Sequence, residues 1–151
     1  MTDNLSPKAA PAGDSAEQRA AEKVLLAALS EKLGVVLLPI ELTPPDGLWA
    51  LQVDGACDSV LCEIYAHLGK LKPAQEHKVL HDAAKLRYAE RLLGAPRRKL
   101  LVFADPLAAA PFLDKRWKAQ ALVADGIEVI VLDLPPELRE QVRLAQIRQY
   151  R

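Results

Sequence analysis

The sequence lacks most of what marks a specialised protein class. It has two cysteines, Cys57 and Cys62, too close for a disulfide framework and without the CxxC spacing of a zinc knuckle, so both read as reduced thiols. No apolar run approaches the roughly 18 residues that a membrane-spanning helix needs, which argues against a membrane protein. The opening MTDNLSPKAAPAGDSAEQ has no charged-then-apolar layout of a secretory signal, and a cytoplasmic location is the expectation. Net charge is missing as well. Twenty basic and twenty acidic side chains cancel, which removes bulk attraction to nucleic acid and leaves only local charge to provide it. A Gly-rich phosphate loop, an HExxH helix and a serine elbow are also absent.

What is present suits one soluble globular domain. The chain has 151 residues, half of them hydrophobic and 26% charged, enough for a real core and too few for two ordinary domains. Residues 1–15, rich in Ala, Pro, Ser, Gly and Asp, have no periodicity and read as a disordered arm, leaving 16–151 as the domain. Charge is unevenly placed. Residues 1–60 carry nine acids and four bases, whereas 68–99 carry nine bases and three acids. That basic segment is either a solvated helix face or a surface for an anionic partner.

Periodicity sets the order of elements. Residues 16–33 read as a helix ended by Gly34, with Leu25, Leu26, Leu29 and Leu33 on one face and Glu22 in the middle of that stripe. VVLLPIEL, LWALQVD and VLCEIYAH, separated by tight turns, predict a three-stranded antiparallel meander. A second helix follows over 74–93, its inward stripe running Gln75, Val79, Asp82, Leu86, Ala89 and Leu93. KLLVFAD and IEVIVLDL are apolar strands, with a helical stretch from Asp105 to near Gly126 between them and a last helix after Pro135-Pro136. Strands joined through helices pair parallel, so the fold class is mixed α/β, a meander extended by parallel strands and a C-terminal helix, strand and helix.

Three elements carry polar residues in places a bland core would not choose. Glu63 shares a strand face with Leu61, Tyr65 and His67. Asp54 ends the preceding strand; a turn centred between Cys57 and Asp58 puts it on the Glu63 face, where two carboxylates could bind one divalent ion. Its plainer role is as a turn-former before Gly55. Gln75 and Asp82 lie on the inward stripe of the second helix, with Lys78 and Lys85 on its edge, close enough for a lysine to lay its stem on the sheet. Acids for Mg²⁺ or Mn²⁺ and a lysine for developing negative charge are the parts of metal-assisted phosphodiester hydrolysis. His77 and His81, one helical turn apart, fall on the side away from the apolar stripe and read as exposed. Trp49 and Trp117 read as packing groups and not base-stacking platforms, since neither neighbours the basic segment in sequence.

The order of elements and these residues resemble the PD-(D/E)XK, or restriction-endonuclease-like, nuclease superfamily over roughly residues 16–105. The segment EIYAHLGKLKPAQEHKVLHDAAKL also looks like uncharacterised bacterial proteins with this pattern. The resemblance implies an αβββαβ core. It implies Asp54 as first acid, Glu63 as the acid of the E-x-K triplet, Glu22 as accessory acid acting through water, and Gln75 as the polar residue of the following helix. Asp54, Glu63 and Glu22 would then be the Mg²⁺ or Mn²⁺ set. The triplet is degenerate, because Tyr65 stands where the family has lysine. In some members that lysine moves to the second helix, where Lys78 is the first candidate and Lys72 the second. The expected function is a metal-dependent nuclease cutting DNA, with nucleic acid meeting segment 68–99, no membrane, and a homodimer left open. The alternatives are a catalytically inactive copy of the fold that binds nucleic acid or protein, and an interaction domain whose acids are structural.

Overall fold

The computed structural model describes residues 15–149; the expected arm, apart from Ser15, lies outside them. Ser15 opens helix α1 (Ala16–Leu33). Its hydroxyl accepts from the Gln18 amide at 3.1 Å and its own amide donates to Gln18 Oε1 at 3.2 Å, a reciprocal box that satisfies two donors a helix start leaves unpaired. Gly34 closes the helix at φ 69°, a left-handed conformation that costs glycine nothing. Ala21, Leu25 and Leu29 are fully buried.

Strands β1 (Leu38–Leu42), β2 (Leu51–Ala56) and β3 (Val60–Tyr65) form the antiparallel meander. Helix α2 (Pro73–Leu93) crosses over to β4 (Arg98–Phe103), which pairs parallel to β3. A second crossover leads to β5 (Ile127–Val131), parallel to β4, and helix α5 (Pro136–Gln149) follows. Among the described residues the result is one open five-stranded mixed sheet in the order β1-β2-β3-β4-β5. The helical stretch expected over 105–126 is broken into α3 (Pro106–Ala109), a 3-10 turn at 110–112 and α4 (Trp117–Ala124). Pro111 lacks an amide donor, and the Asp114 carboxylate takes the Arg116 amide at 2.8 Å, a local bond that competes with continuing the helix.

Both sheet faces are covered. α1 and α5 pack on the face of Cys62, Ile64 and Val102, while α2, α3 and α4 pack on the face of Leu61, Leu101 and Phe103. Alternation along β3 therefore sends Glu63 toward α2. The β2–β3 turn centres between Asp58 and Ser59, since Gly55 pairs with Cys62 and Ala56 with Leu61. That is one residue beyond the expected centre, a shift that brings Asp54 level with Glu63.

β2 itself is irregular just before that turn. Three steps separate Val53 from Ala56, but only two separate their β1 partners Ile40 and Leu38. The extra residue is a β-bulge at Asp54–Gly55, opposite Pro39, which has no amide to give the ladder. Val53 and Ala56 consequently both join the α2-side core. Gly55 is required by close approach: a Cβ there would stand 2.5 Å from Leu26 Cδ1 and 2.8 Å from Cys62 Sγ.

Candidate functional site

The bulge opens β2 from β3 at the two acids. Beyond Gly55–Cys62, side chains take over the ladder: the Asp54 amide donates to Glu63 Oε2 at 2.8 Å, and the Ile64 amide donates to Asp54 Oδ2 at 2.9 Å. Each carboxylate thus accepts a backbone donor from the opposite strand, which ties the two acids across the gap between the strands. Glu63 is 2% exposed. Asp54 keeps an exposed side and lines, with Glu22, Arg19 and Ile64, a groove of about 470 Å³ under α1.

Helix α2 brings the counter-charges. The Lys85 ammonium bonds Glu63 Oε1 and lies 3.7 Å from Asp82 Oδ1. Lys78 Nζ donates to Asp82 Oδ2 at 2.9 Å, and the Tyr65 hydroxyl donates to the same oxygen at 2.8 Å. Tyr65 is held in turn by stacking on Phe103, ring centroids 4.8 Å apart. The spacing of Lys78, Asp82 and Lys85 puts all three on one helix edge, one turn apart. The cluster is therefore Asp54, Glu63, Asp82, Tyr65, Lys78 and Lys85, three acids and two lysines around one phenol.

Burial and crowding set the ionisation. Burial pushes Glu63 up to about 7, with the Asp54 charge adding to the rise and Lys85 opposing it. Asp54 is raised by burial against the lowering bond from Ile64. Burial also raises Tyr65 far above the usual phenol range, and the Asp82 charge reinforces it. For Lys78 burial pulls downward, but the bond and charge of Asp82 outweigh it and the net direction is up. Cys62, on the opposite strand face, is pushed up to about 12 by burial and by the two acids, an inert thiol at neutral pH.

The residues singled out from the sequence are distributed as follows. Asp54 and Glu63 are tied across β2 and β3 by backbone amides, but the bulge turns Asp54 to the α1 groove and not to the Glu63 face expected for it. Lys78 reaches Asp82, while Lys85, further along the same helix, is the lysine on Glu63. Tyr65 faces Asp82. Glu22 shares the α1 groove with Asp54, on the other side of the sheet from Glu63. Gln75 Oε1 accepts from the Lys72 amide at 2.7 Å, so that pair caps the start of α2. Asp82 was not among the expected site residues; its signal was an acid in an apolar stripe with lysines four residues before and three after.

Part of the basic segment is paired with acids of the fold, mostly at the surface. Arg98 forms a two-bond pair with Glu128, Lys99 pairs with Glu90 at 2.9 Å and Arg87 lies 3.5 Å from Asp125. Among the described residues, no three His, Cys, Asp or Glu side chains converge in a group that could hold a metal ion. No described helix is long and apolar enough to cross a membrane. Comparison with protein-family models, with curated proteins and with solved structures gave no match in any of the three.

Proposed function

We propose that the chain is a divalent-cation-dependent nuclease with a restriction-endonuclease-like core, built on the αβββαβ order of α1 to β4. The observation that carries this reading is the pair Asp54 and Glu63, each bonded to a backbone amide of the opposite strand where β2 and β3 part, with the Lys85 ammonium on Glu63. Hard carboxylate oxygens suit Mg²⁺ or Mn²⁺, and Mg²⁺ is commonly held by one or two carboxylates with water and substrate phosphate completing the shell. Burial raises both acids, and the Asp54 charge adds to the rise of Glu63; a bound cation would favour their charged forms. Asp54 and Glu63 would hold the ion, with Glu22 reaching it only through water from the α1 groove. When bound, the ion would polarise the phosphoryl oxygen and ease ionisation of water.

The chain's own residues do the rest. Lys85 offsets the charge of Glu63 and stands ready to offset charge developing on a phosphate. Asp82 holds both lysines, and Tyr65 fixes Asp82 by its hydroxyl. Lys78, whose side chain is 67% exposed, meets the substrate backbone at the mouth. In this reading the lysine missing from position 65 is supplied by Lys85, with Lys78 as its outer neighbour. A cytoplasmic setting goes with it, in which Cys57 and Cys62 stay as the free thiols they are.

A second reading, a non-catalytic binding module, is favoured by one observation. Asp82 engages Tyr65, Lys78 and Lys85 together, so both lysines already serve as structural counter-ions. Cleavage of supercoiled plasmid and of single-stranded DNA, with Mg²⁺, Mn²⁺ or EDTA, separates the two. Metal-dependent cutting by the wild type that disappears in Glu63→Gln supports the nuclease; binding without cutting in any metal supports the module.

A further inference from the structure

On the α2 side of the sheet, next to this cluster, lies a second groove of about 580 Å³. It is lined by Trp49 just before β2, by Leu51 and Gln52 at its start, and by His81, Lys85 and Tyr88 from α2. Trp49 and Tyr88 form an aromatic pair, ring centroids 5.8 Å apart and planes inclined by 46°. Neither residue is buried by this contact: Trp49 is 38% and Tyr88 45% exposed. Trp49, read from the sequence as a packing group because it does not neighbour the basic segment in sequence, is set by the fold against Tyr88 in the middle of that segment.

The groove runs into the candidate site through one side chain. Lys85 lines it and also bonds Glu63. Around it, His77, Lys78, His81, Lys85, Tyr88 and Arg91 occupy a continuous arc of about 140° on α2 at helical spacing. No acid falls in this arc: Glu76 and Glu90 lie beyond it, paired with Lys118 and Lys99, and Asp82 borders it on the core side. Lys78 and Lys85 already hold Asp82 and Glu63, so with Arg91 they offer a partner the outer side of paired cations beside exposed rings, a surface for negative charge and flat apolar faces together. An acidic peptide offers flat faces only at scattered aromatic side chains, not in regular alternation with its charge. Duplex nucleic acid offers the charge but buries its base faces in the stack, whereas a single strand presents both.

We propose that the Trp49–Tyr88 groove is a single-strand subsite, in which an unpaired base stacks on the aromatic pair while its phosphate runs along the α2 cations toward Lys85. This rests on the nuclease-type reading for what happens next to Glu63, but binding itself does not need catalysis. It makes the preferred substrate a single strand or a frayed end, and it assigns Trp49 and Tyr88 as binding residues.

The test is fluorescence anisotropy in EDTA with labelled oligodeoxyuridylate, oligouridylate and a blunt duplex of equal length. Single strands are expected to bind on the order of tenfold or more tighter than the duplex, and the ratio of the two single strands names the preferred sugar. Trp49→Ala and Tyr88→Ala should each weaken single-strand binding on the order of tenfold, as stacking contacts do, with Trp49→Phe retaining most of it. Thermal melting of each variant checks that it folds; should Trp49→Ala fail to fold, Tyr88→Ala and Trp49→Phe carry the test. Equal affinity for duplex, or folded alanine variants that bind like the wild type, would overturn the subsite. Binding of an acidic peptide in preference to every oligonucleotide would overturn it as well. Ring-dependent single-strand binding with no cutting in Mn²⁺ would sink the nuclease reading alone, and cutting unaffected by either alanine would sink this one alone.

Discussion

The ammonium of Lys85 rests on the carboxylate of Glu63, 22 residues away in sequence, and the ion pair spans the interface between α2 and β3. Glu63 is nearly inaccessible and Lys85 is 20% exposed at its side chain, so the pair is largely desolvated. Removing one member leaves the other without compensation, which is the costly case for buried ions.

Lys85→Met should therefore destabilise the protein by on the order of 3 kcal/mol at pH 8. The loss should shrink near pH 5, where Glu63 can take up a proton. Urea denaturation of wild type and variant at the two pH values measures both. A loss independent of pH would show that Glu63 is not the group left exposed.

Wild-type stability should itself depend on pH with a definite sign. Glu63 is raised from 4.5 to about 7 in the folded chain, and Asp54 moves the same way. Between those values the folded state binds more protons than the unfolded state, so stability falls as pH rises through the window. For Glu63 the full fall is on the order of 3 kcal/mol. Glu63→Gln should flatten the profile between pH 5 and 7, read from melting temperatures across that range. A profile that keeps its slope in the variant would assign the effect elsewhere.

A divalent cation at Asp54 and Glu63 would bind the folded state and stabilise it by mass action. Calorimetric scans with Mn²⁺ should show a higher melting temperature for the wild type and none of that rise for Glu63→Gln or Asp54→Asn. An equal rise in all three proteins would place the cation somewhere else.

The two lysines should not be equivalent. Lys85 touches Glu63, whereas Lys78 is two-thirds exposed and pairs with Asp82. With cleavage as the readout, Lys85→Ala should lose on the order of a hundredfold or more in rate, the size of one lost electrostatic stabiliser. Lys78→Ala should lose less. Tyr65→Phe should cost about 1 kcal/mol of stability, since Asp82 keeps both lysines when the hydroxyl goes, and little rate. A larger rate loss at Lys78 than at Lys85 would reverse the assignment.

Gly55→Ala tests the bulge. The new methyl would have to displace Leu26 and the buried Cys62 sulfur, an overpacking that costs about 1–3 kcal/mol. Because Gly55 adjoins Asp54, the variant should also lose Mn²⁺ stabilisation. Guanidinium denaturation with and without Mn²⁺ checks the two effects together.

Much of the fold was legible because its signals are local. The bounds of α1 follow from a leucine stripe with a glycine after it, and those of α2 from Pro73, the Val79–Leu86 stripe and Gly94. The meander followed from alternation and turn residues. The bulge was not legible, since register depends on how β1 and β2 pair and Pro39 acts across strands. For the site, Asp54 and Glu63 stand out as acids in apolar strands. Which lysine meets Glu63 depends on the rotation and depth of α2 against β3, which periodicity defines only to about one turn, so the order Lys78 before Lys72 did not anticipate Lys85 on Glu63. Trp49 and Tyr88, far apart in the chain, meet only through tertiary packing.

Pro39 has an effect at the outer rim of the molecule as well. β1 is an edge strand with five residues, among them a proline and the exposed Glu41. An edge that is short, carries a charge and a proline ring, and has a kinked neighbour makes a poor template for another strand. The same irregularity that opens the acids to one another thus guards the sheet against growing outward into aggregates, so replacing Pro39 with a strand-forming residue would trade solubility for regularity.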